Sequence, residues 1–323
     1  MVLEIDKEDR IMEEKIESAV GAPANEPLAD MTPSKGAMRR TFSRMGLGLC
    51  LGLLVSQLVP TMLAALFPGF DAQAHAFLVG GLCTGCFTLP VMALLGRQLP
   101  SLKPEKNELS IGRFLALVCI CYACMIVGNL VGIGVNLLLS PGSVDLVSSL
   151  ASAAGASVEM VVAFVVLAPV FEELVFRKVI VDRVLPYGEW PAILFSGITF
   201  GLFHGNLTQF FYAFLLGAIL AYVYIRTGNI LYTIGIHACI NFLGGVLPIL
   251  IPAASGLVLL VAVAGVVLFF VNRQKAHVAR NAVPGVGSAM FANGGMILFL
   301  ILSGLLMVLV AIVMNHPELT TLG

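Results

Sequence analysis

The sequence predicts an all-α polytopic membrane protein, a bundle of about eight to nine transmembrane helices. Of its 323 residues, 59% are hydrophobic and only 11% are charged, and the mean hydropathy is +0.98. Soluble domains carry about a quarter charged residues, whereas one helix across a bilayer needs roughly 20 consecutive apolar residues. Several runs of that length follow one another here. We therefore expect the lipid bilayer as a partner and no nucleic acid.

The first 45 residues precede the apolar runs and form a predicted cytoplasmic tail. They hold nine of the nineteen acidic side chains and seven of the eighteen basic ones. No apolar stretch of a cleavable signal peptide is present among them. After this tail we place nine spans. They lie near 46–66, 77–96, 114–139, 158–176, 190–207, 208–225, 229–250, 254–272 and 292–313.

The distribution of basic residues sets the orientation, because loops rich in Lys and Arg stay on the cytoplasmic side. The loops near 67–76, 140–157 and 251–253 contain neither Lys nor Arg. Nine spans with a cytoplasmic N-terminus, in the cell membrane, are therefore predicted. The residues then assigned to the cytoplasmic side are Lys35, Arg39, Arg40, Arg44, Arg97, Lys103, Lys106, Arg113, Arg177, Lys178, Arg183, Arg226, Arg273, Lys275 and Arg280.

Two glycine pairs indicate where helices approach each other closely. Gly48 and Gly52, like Gly128 and Gly132, are four residues apart in apolar runs. Small residues at this spacing lie on one face of a helix and let a neighbouring backbone come near.

Ionisable and amide side chains inside the predicted spans are few and clustered. In a membrane such residues mark function by default. Each also has a structural interpretation: an ion pair, a packing histidine, or an amide that joins two helices. Pro169 precedes the cluster and cannot donate to the carbonyl of Val165, so we expect a kink there. The clustered residues are Glu172, Glu173 and Arg177 in "APVFEELVFR", His204 in "GITFGLFHGN", and His237 and Asn241 in "YTIGIHACINF".

These three stretches together resemble the CPBP family, the CAAX protease and bacteriocin-processing (Abi) intramembrane proteases. The family pattern is EExxxR, FxxxH and HxxxN on successive membrane helices. The resemblance implies a catalytic core over 154–250, between N-terminal helices over 46–153 and C-terminal helices over 251–323. The matching residues are Glu172-Glu173-Leu-Val-Phe-Arg177, Phe200-Gly-Leu-Phe-His204 and His237-Ala-Cys-Ile-Asn241.

The resemblance implies an intramembrane endopeptidase that hydrolyses a peptide bond of a membrane-associated protein or peptide with activated water. Peptide hydrolysis needs a general base, a stabilised oxyanion and a protonated leaving amine. By analogy with the first glutamate of the motif, Glu172 is assigned as the base. Glu173 would stay ionised beside Arg177, in a structural ion pair.

The second and third motifs supply the remaining catalytic groups. His204 and His237 would position the water or steady the oxyanion, and Asn241 would add a neutral donor. The family is described both as metalloproteases and as metal-free glutamate proteases. In the metal-dependent version, Glu172, His204 and His237 would bind zinc with one position open for water. Both versions remain open at this point.

Two other classes of function fit the same polar cluster. A non-enzymatic bacteriocin-immunity or membrane scaffold protein would use it only to join helices. A proton-coupled transporter would need ionisable residues in both halves of the membrane, and the half predicted to face outward is nearly bare.

One distance along the helices conflicts with a shared site. At 1.5 Å per residue, Glu172 lies roughly 7.5 Å from Arg177, whereas His204 lies roughly 21 Å from Trp190. For these groups to meet, the fifth span must begin nearer the midplane, with 185–191 dipping inward, or the helix must be strongly tilted.

Overall fold

The computed structural model describes residues 33–139, 157–279 and 281–315. All regular elements in these ranges are helical and no strand occurs among them, which confirms the all-α class. Most of the predicted N-terminal tail lies outside the described residues. The division of the chain into a tail, two flanking sets of helices and a core stays a prediction.

Ten helices follow one another in the described residues. Their bounds are α1 (Lys35–Leu66), α2 (Ala76–Gly96), α3 (Ile111–Leu139), α4 (158–184), α5 (Glu189–Phe203), α6 (Leu207–Thr227), α7 (Ile230–Leu250), α8 (Pro252–Lys275), α9 (Val286–Phe291) and α10 (Gly294–Asn315).

Seven helices in the described part of the chain are long and apolar enough to cross a membrane: α1, α2, α3, α6, α7, α8 and α10. The protein is therefore a multi-pass membrane protein. The other two predicted spans correspond to α4, which carries the charged motif, and to α5, which has only 15 residues. The first helix begins at Lys35, well before the predicted start at 46, because the Ser34 side chain caps it by accepting from the Ala37 amide.

Hydrogen bonds between loops and helix ends identify one end of the bundle, which we call the basic end. The Nε of Arg183 in α4 donates to the carbonyl of Gly96 at the end of α2, at 2.8 Å. The side chain of Asn107 donates to the carbonyl of Arg226 near the end of α6, at 3.0 Å. These contacts gather the ends of three helices where the sequence is rich in Lys and Arg.

At the opposite end, the Nδ1 of His75 lies 2.7 Å from the Oε1 of Glu159, which joins the start of α2 to the start of α4. The described loop 67–75 at that end contains no Lys or Arg. The two ends of the bundle thus differ in charge as the positive-inside pattern predicts.

The glycine pairs lie at close helix contacts, as their spacing indicated. A Cβ on Gly128 or Gly132 would meet the backbone of Tyr212 or Thr208, so α3 and α6 touch through their main chains there. Gly52 faces the Thr88 side chain of α2. The contacts of Gly128 and Gly132 hold α6 against α3, and α6 forms a helix hairpin with α5, which carries His204.

We predict that Gly132→Ala destabilises the protein while Gly134→Ala does not. The new methyl group at 132 would collide with the carbonyl of Thr208, whereas nothing lies within 4 Å of the equivalent atom at Gly134. Overpacking of this kind costs about 1–3 kcal/mol, and alanine alone improves helix propensity by up to about 1 kcal/mol. Thermal unfolding midpoints in detergent measure both effects. Equal midpoints for the two variants would contradict the α3–α6 contact.

Candidate active site

The helix with the two glutamates, α4, is widened on both sides of the motif. Two stretches, Val162–Leu167 and Leu174–Val181, form wide π turns, and between them Ala168–Glu173 is ordinary α-helix. Wide turns inside a helix shift its hydrogen-bond register and are frequent at functional sites. Here they rotate the glutamates relative to the flanking turns.

Pro169 leaves one backbone carbonyl of α4 without a hydrogen-bond donor in the same helix. The amide of Ala168 donates to the carbonyl of Ala163, five residues earlier. The next amide in the same pattern would belong to residue 169 and would serve the carbonyl of Phe164. Because proline has no N–H, that carbonyl has no donor within its own helix. We expected Val165 to lose its partner; the wide turn moves the deficit to Phe164.

Asn241 of α7 supplies the missing donor. Its Nδ2 lies 2.8 Å from the carbonyl oxygen of Phe164. An unpaired carbonyl away from water is costly, so this bond ties α7 to the widened part of α4. One of the two N–H donors of the Asn241 side chain is therefore used by backbone in this conformation. The catalytic role predicted for Asn241 stays a prediction.

A fully buried ion pair lies one turn further along α4. The Nε of Arg177 is 3.0 Å from the Oε2 of Glu173, and both side chains are 0% exposed. The guanidinium carbon also lies 4.9 Å from the centre of the Phe200 ring. The pair that the sequence placed near the interface is thus enclosed by protein. Burial by itself disfavours a charged carboxylate, so an ionised Glu173 depends on the charge of Arg177 beside it.

His237 lies between the two glutamates. Its Nδ1 is 3.0 Å from the Oε1 of Glu173, and its Nε2 is 3.8 Å from the Oε2 of Glu172. Because the carboxylate of Glu173 accepts, the Nδ1 of His237 carries the hydrogen. In the neutral imidazole the Nε2 then carries no hydrogen, and it is directed toward Glu172. Glu172 differs from its neighbour in keeping 18% of its side chain exposed.

His204 ends α5 and is oriented by its own helix. Its Nδ1 is 2.7 Å from the carbonyl oxygen of Phe200, which can only accept, so Nδ1 carries the hydrogen and Nε2 is free. The turn that follows is closed by Asn206, whose buried side chain accepts from the amides of Thr208 and Gln209. His204 is close enough to Glu172 to interact with it electrostatically.

The helix lengths remove the mismatch in depth. The helix α4 continues to Val184, not 176, and a short turn with Gly188 at φ 124° leads directly into α5. Counted from this shared turn, Glu172 lies roughly 18 Å along α4 and His204 roughly 22 Å along α5. The Ser196 hydroxyl, which donates to the Phe176 carbonyl at 3.1 Å, fixes this antiparallel register.

Two residues near the site were not singled out from the sequence, and a third, Phe200, was a motif residue without an assigned role. Phe200 contacts the rings of His204 and His237, with centroids 4.8 Å and 5.8 Å away. Thr233 is fully buried one turn before His237 and lies beside Glu173, so its spacing of four could have indicated it. Cys121 of α3 is fully buried within electrostatic range of Glu173, and no sequence signal indicated it.

The donor types of the predicted metal set suit zinc, since both histidines have a free Nε2 and each Nδ1 is held by an acceptor. Their arrangement does not. Across the described residues, no group of three or more His, Cys, Asp or Glu side chains is positioned to hold a metal ion. The metal-binding role of Glu172, His204 and His237 stays a prediction.

We predict that Asn241 and Pro169 are energetically coupled. Asn241→Ala should cost about 1–3 kcal/mol, because the Phe164 carbonyl loses its donor. In a Pro169→Ala background the cost should fall by about 1 kcal/mol, since residue 169 regains an N–H for that carbonyl. Unfolding free energies of the four proteins in a double-mutant cycle measure this.

The matched control for that cycle is Asn272→Ala. Its Nδ2 donates to the Leu268 carbonyl at 2.8 Å, far from α4 in sequence. Its cost should be the same with either residue at 169. Additive costs for Asn241→Ala and Pro169→Ala would show that the two residues do not share a carbonyl.

A comparison with known families agrees with this geometry. Residues 154–243 match a family model described as type II CAAX prenyl endopeptidase Rce1-like. This range contains every predicted site residue. No curated protein and no solved structure matches the chain. The match confirms the resemblance drawn from the three motifs and identifies an intramembrane endopeptidase. Over this segment, the chain is similar to the CPBP family of intramembrane proteases.

Proposed function

We propose that this protein hydrolyses a peptide bond of a membrane-associated protein or peptide, with Glu172 as the general base. The site would open toward the cytoplasm in the cell membrane. The observation that carries this is the position of His237, which contacts both glutamates and gives each a different environment. Two adjacent carboxylates with unlike surroundings can take unlike roles.

The different surroundings of the two carboxylates suit them to different roles. Glu173 is enclosed, and its charge is balanced by Arg177 on one oxygen and by the Nδ1–H of His237 on the other. Such a carboxylate holds its neighbours in place and is unavailable to a substrate. Glu172 is partly exposed and faces the free Nε2 of His237, so it can exchange protons with water.

The reaction proceeds in two proton transfers. Glu172 accepts one proton of a water molecule as the water oxygen forms a bond to the scissile carbonyl carbon. The electrons of the carbonyl double bond move to its oxygen. When the tetrahedral intermediate collapses, the C–N bond breaks and Glu172 returns the proton to the leaving amine. The carboxylate is then restored.

His204 and His237 orient the reacting groups. Each presents its Nε2, because the Phe200 carbonyl and the Glu173 carboxylate hold the respective Nδ1–H groups. A free imidazole nitrogen can accept the second hydrogen of the attacking water and hold it in line. Phe200 packs between the two rings and sets their separation.

We predict that Glu172→Gln abolishes cleavage and leaves the fold intact. Removal of a general base lowers the rate by about 10²- to 10⁴-fold. The measurement is the cleavage rate of synthetic peptides in liposomes, including a farnesylated CAAX peptide and the same peptide without the lipid. Glu159→Gln is the control on the same helix, since Glu159 lies at the opposite end of α4. Full activity in Glu172→Gln would remove the base assignment, and cleavage of only one peptide would define the substrate class.

We predict a different result for Glu173→Gln. Loss of this carboxylate leaves the fully buried Arg177 without its counter-charge, which costs about 3–5 kcal/mol. The variant should therefore unfold at lower temperature and lose activity, whereas Glu172→Gln loses activity alone. Thermal unfolding followed beside the cleavage assay separates the two glutamates. Identical thermal behaviour would contradict the division of roles.

Zinc dependence is tested directly on the purified protein. The proposed steps use water and side chains, so dialysis against EDTA should leave the cleavage rate unchanged, and elemental analysis should find less than one zinc per chain. Loss of activity on dialysis and recovery with added zinc would instead show zinc dependence and favour the metal-binding role of Glu172, His204 and His237.

A further inference from the structure

A shallow surface cavity of about 340 Å³, lined by exposed and half-buried residues, lies at the basic end of the bundle, between α1 and the end of α2. It is separate from the glutamates of α4 and uses none of the residues of the proposed mechanism. Its wall combines basic, amide and aliphatic side chains. The residues that line it are Arg44, Leu94, Leu95, Arg97 and Gln98.

The two arginines of this cavity have no polar partner within the described residues. Other basic side chains at the same end are paired: Lys178 lies 3.2 Å from Asp182, and Arg226 lies 2.6 Å from Glu189. Arg44 is half-buried against α2, so its charge is held at the cavity instead of extending into water. Two unpaired guanidinium groups on one cavity favour an anionic ligand with several oxygen acceptors.

The surrounding sequence strengthens the positive field. Between residues 33 and 104 the chain has six basic side chains and a single acidic one, Asp71. Asp71 belongs to the loop at the opposite end of the bundle. No carboxylate in this stretch can therefore neutralise Arg44 and Arg97 at the cavity.

The apolar part of the wall indicates which kind of anion would bind in the cavity. Leu94 is 69% exposed and lies on the outer face of α2, where an acyl chain would run along the helix. Arg97 directly follows the end of the same helix, and Arg44 lies in α1 just before the span predicted to start at 46, where lipid headgroups are expected. A phosphate with an attached hydrocarbon chain matches both the basic part and the apolar part of the cavity. A free phosphate matches only the basic part.

We propose that Arg44, Arg97 and Gln98 bind the phosphate headgroup of an anionic phospholipid whose acyl chain packs on Leu94 and Leu95. Each basic residue near an anionic headgroup strengthens binding by about a factor of five, so the two arginines together account for about 30-fold. The site anchors the α1–α2 hairpin to one leaflet.

The test is lipid binding to the full-length protein in neutral detergent, followed by native mass spectrometry. The probes are dioleoyl phosphatidylglycerol, phosphatidylcholine with the same chains, and inorganic phosphate. Phosphatidylglycerol should bind, and the double variant R44Q/R97Q should bind it about 30-fold more weakly. R44K/R97K keeps both charges and should retain most of the binding. Unchanged thermal midpoints would show that the variants are folded.

The matched control is R113Q/R273Q. It removes the same charge from the same end of the bundle, and Arg113 is half-buried while Arg273 is exposed, as in the cavity pair. Its affinity for phosphatidylglycerol should change far less than that of R44Q/R97Q. An equal loss would mean that general surface charge attracts the lipid, and the proposal would be overturned.

Three further outcomes would also overturn it. Equal binding of phosphatidylcholine would show that the headgroup charge is not recognised. Binding of inorganic phosphate as tight as that of the lipid would leave a simple anion site without an acyl contact.

The third outcome concerns the N-terminal segment. Residues 1–32 hold nine acidic and three basic side chains. Lipid binding that appears only after Glu26→Gln and Asp30→Asn would make this acidic segment the occupant.

Discussion

The candidate site depends on one buried charge, the carboxylate of Glu173. Its two oxygens meet Arg177 and His237, and these contacts join α4 to α7 inside the bundle. A buried charge is tolerated only when it is paired, so the positions of the guanidinium and the imidazole are both constrained by this group. The orientation of His237, and therefore the nitrogen that it shows to Glu172, follows from that constraint. In the proposed mechanism, the chemistry at Glu172 thus depends on a neighbour that takes no part in proton transfer.

A second constraint comes from the backbone of α4. Pro169 removes one donor, the wide turn shifts the loss to Phe164, and Asn241 compensates from α7. The two helices are therefore joined twice, once through charges and once through a main-chain carbonyl. Both links lie on the helix faces that carry the motifs. A motif residue can accordingly be required for geometry even where it never touches a substrate.

Much of the fold and the identity of the site residues could be predicted from the sequence. Long apolar runs dictate helices in lipid, and the spacing of the three motifs places Glu173 with Arg177, and His237 with Asn241, on common faces. The seven long apolar helices and the charge difference between the two ends agree with this. Residue types and their spacing along the chain were enough to predict these features.

Other features required coordinates, because they depend on backbone register. The extension of α4 to Val184 and the wide turns around the motif have no signal in hydropathy, so the depth of His204 could not be derived. The inward dip considered for 185–191 became unnecessary once α4 proved longer. The bond from Asn241 to Phe164 was equally hidden, since it exists only when the helix register shifts by one residue.

The short length of α5 has a consequence for the helices around it. With 15 residues the helix rises roughly 22 Å, which is less than the hydrocarbon thickness of roughly 30 Å. The turn at Asn206 then ends below the far surface of the bilayer, and its polar groups are satisfied by its own cap. Within α5 only Trp190 is exposed, and Gly205 of the following turn packs against Leu306 of α10, so the short helix ends against protein. Non-helical backbone at membrane depth is tolerated when protein encloses it, and α10 therefore protects the end of the hairpin that carries His204.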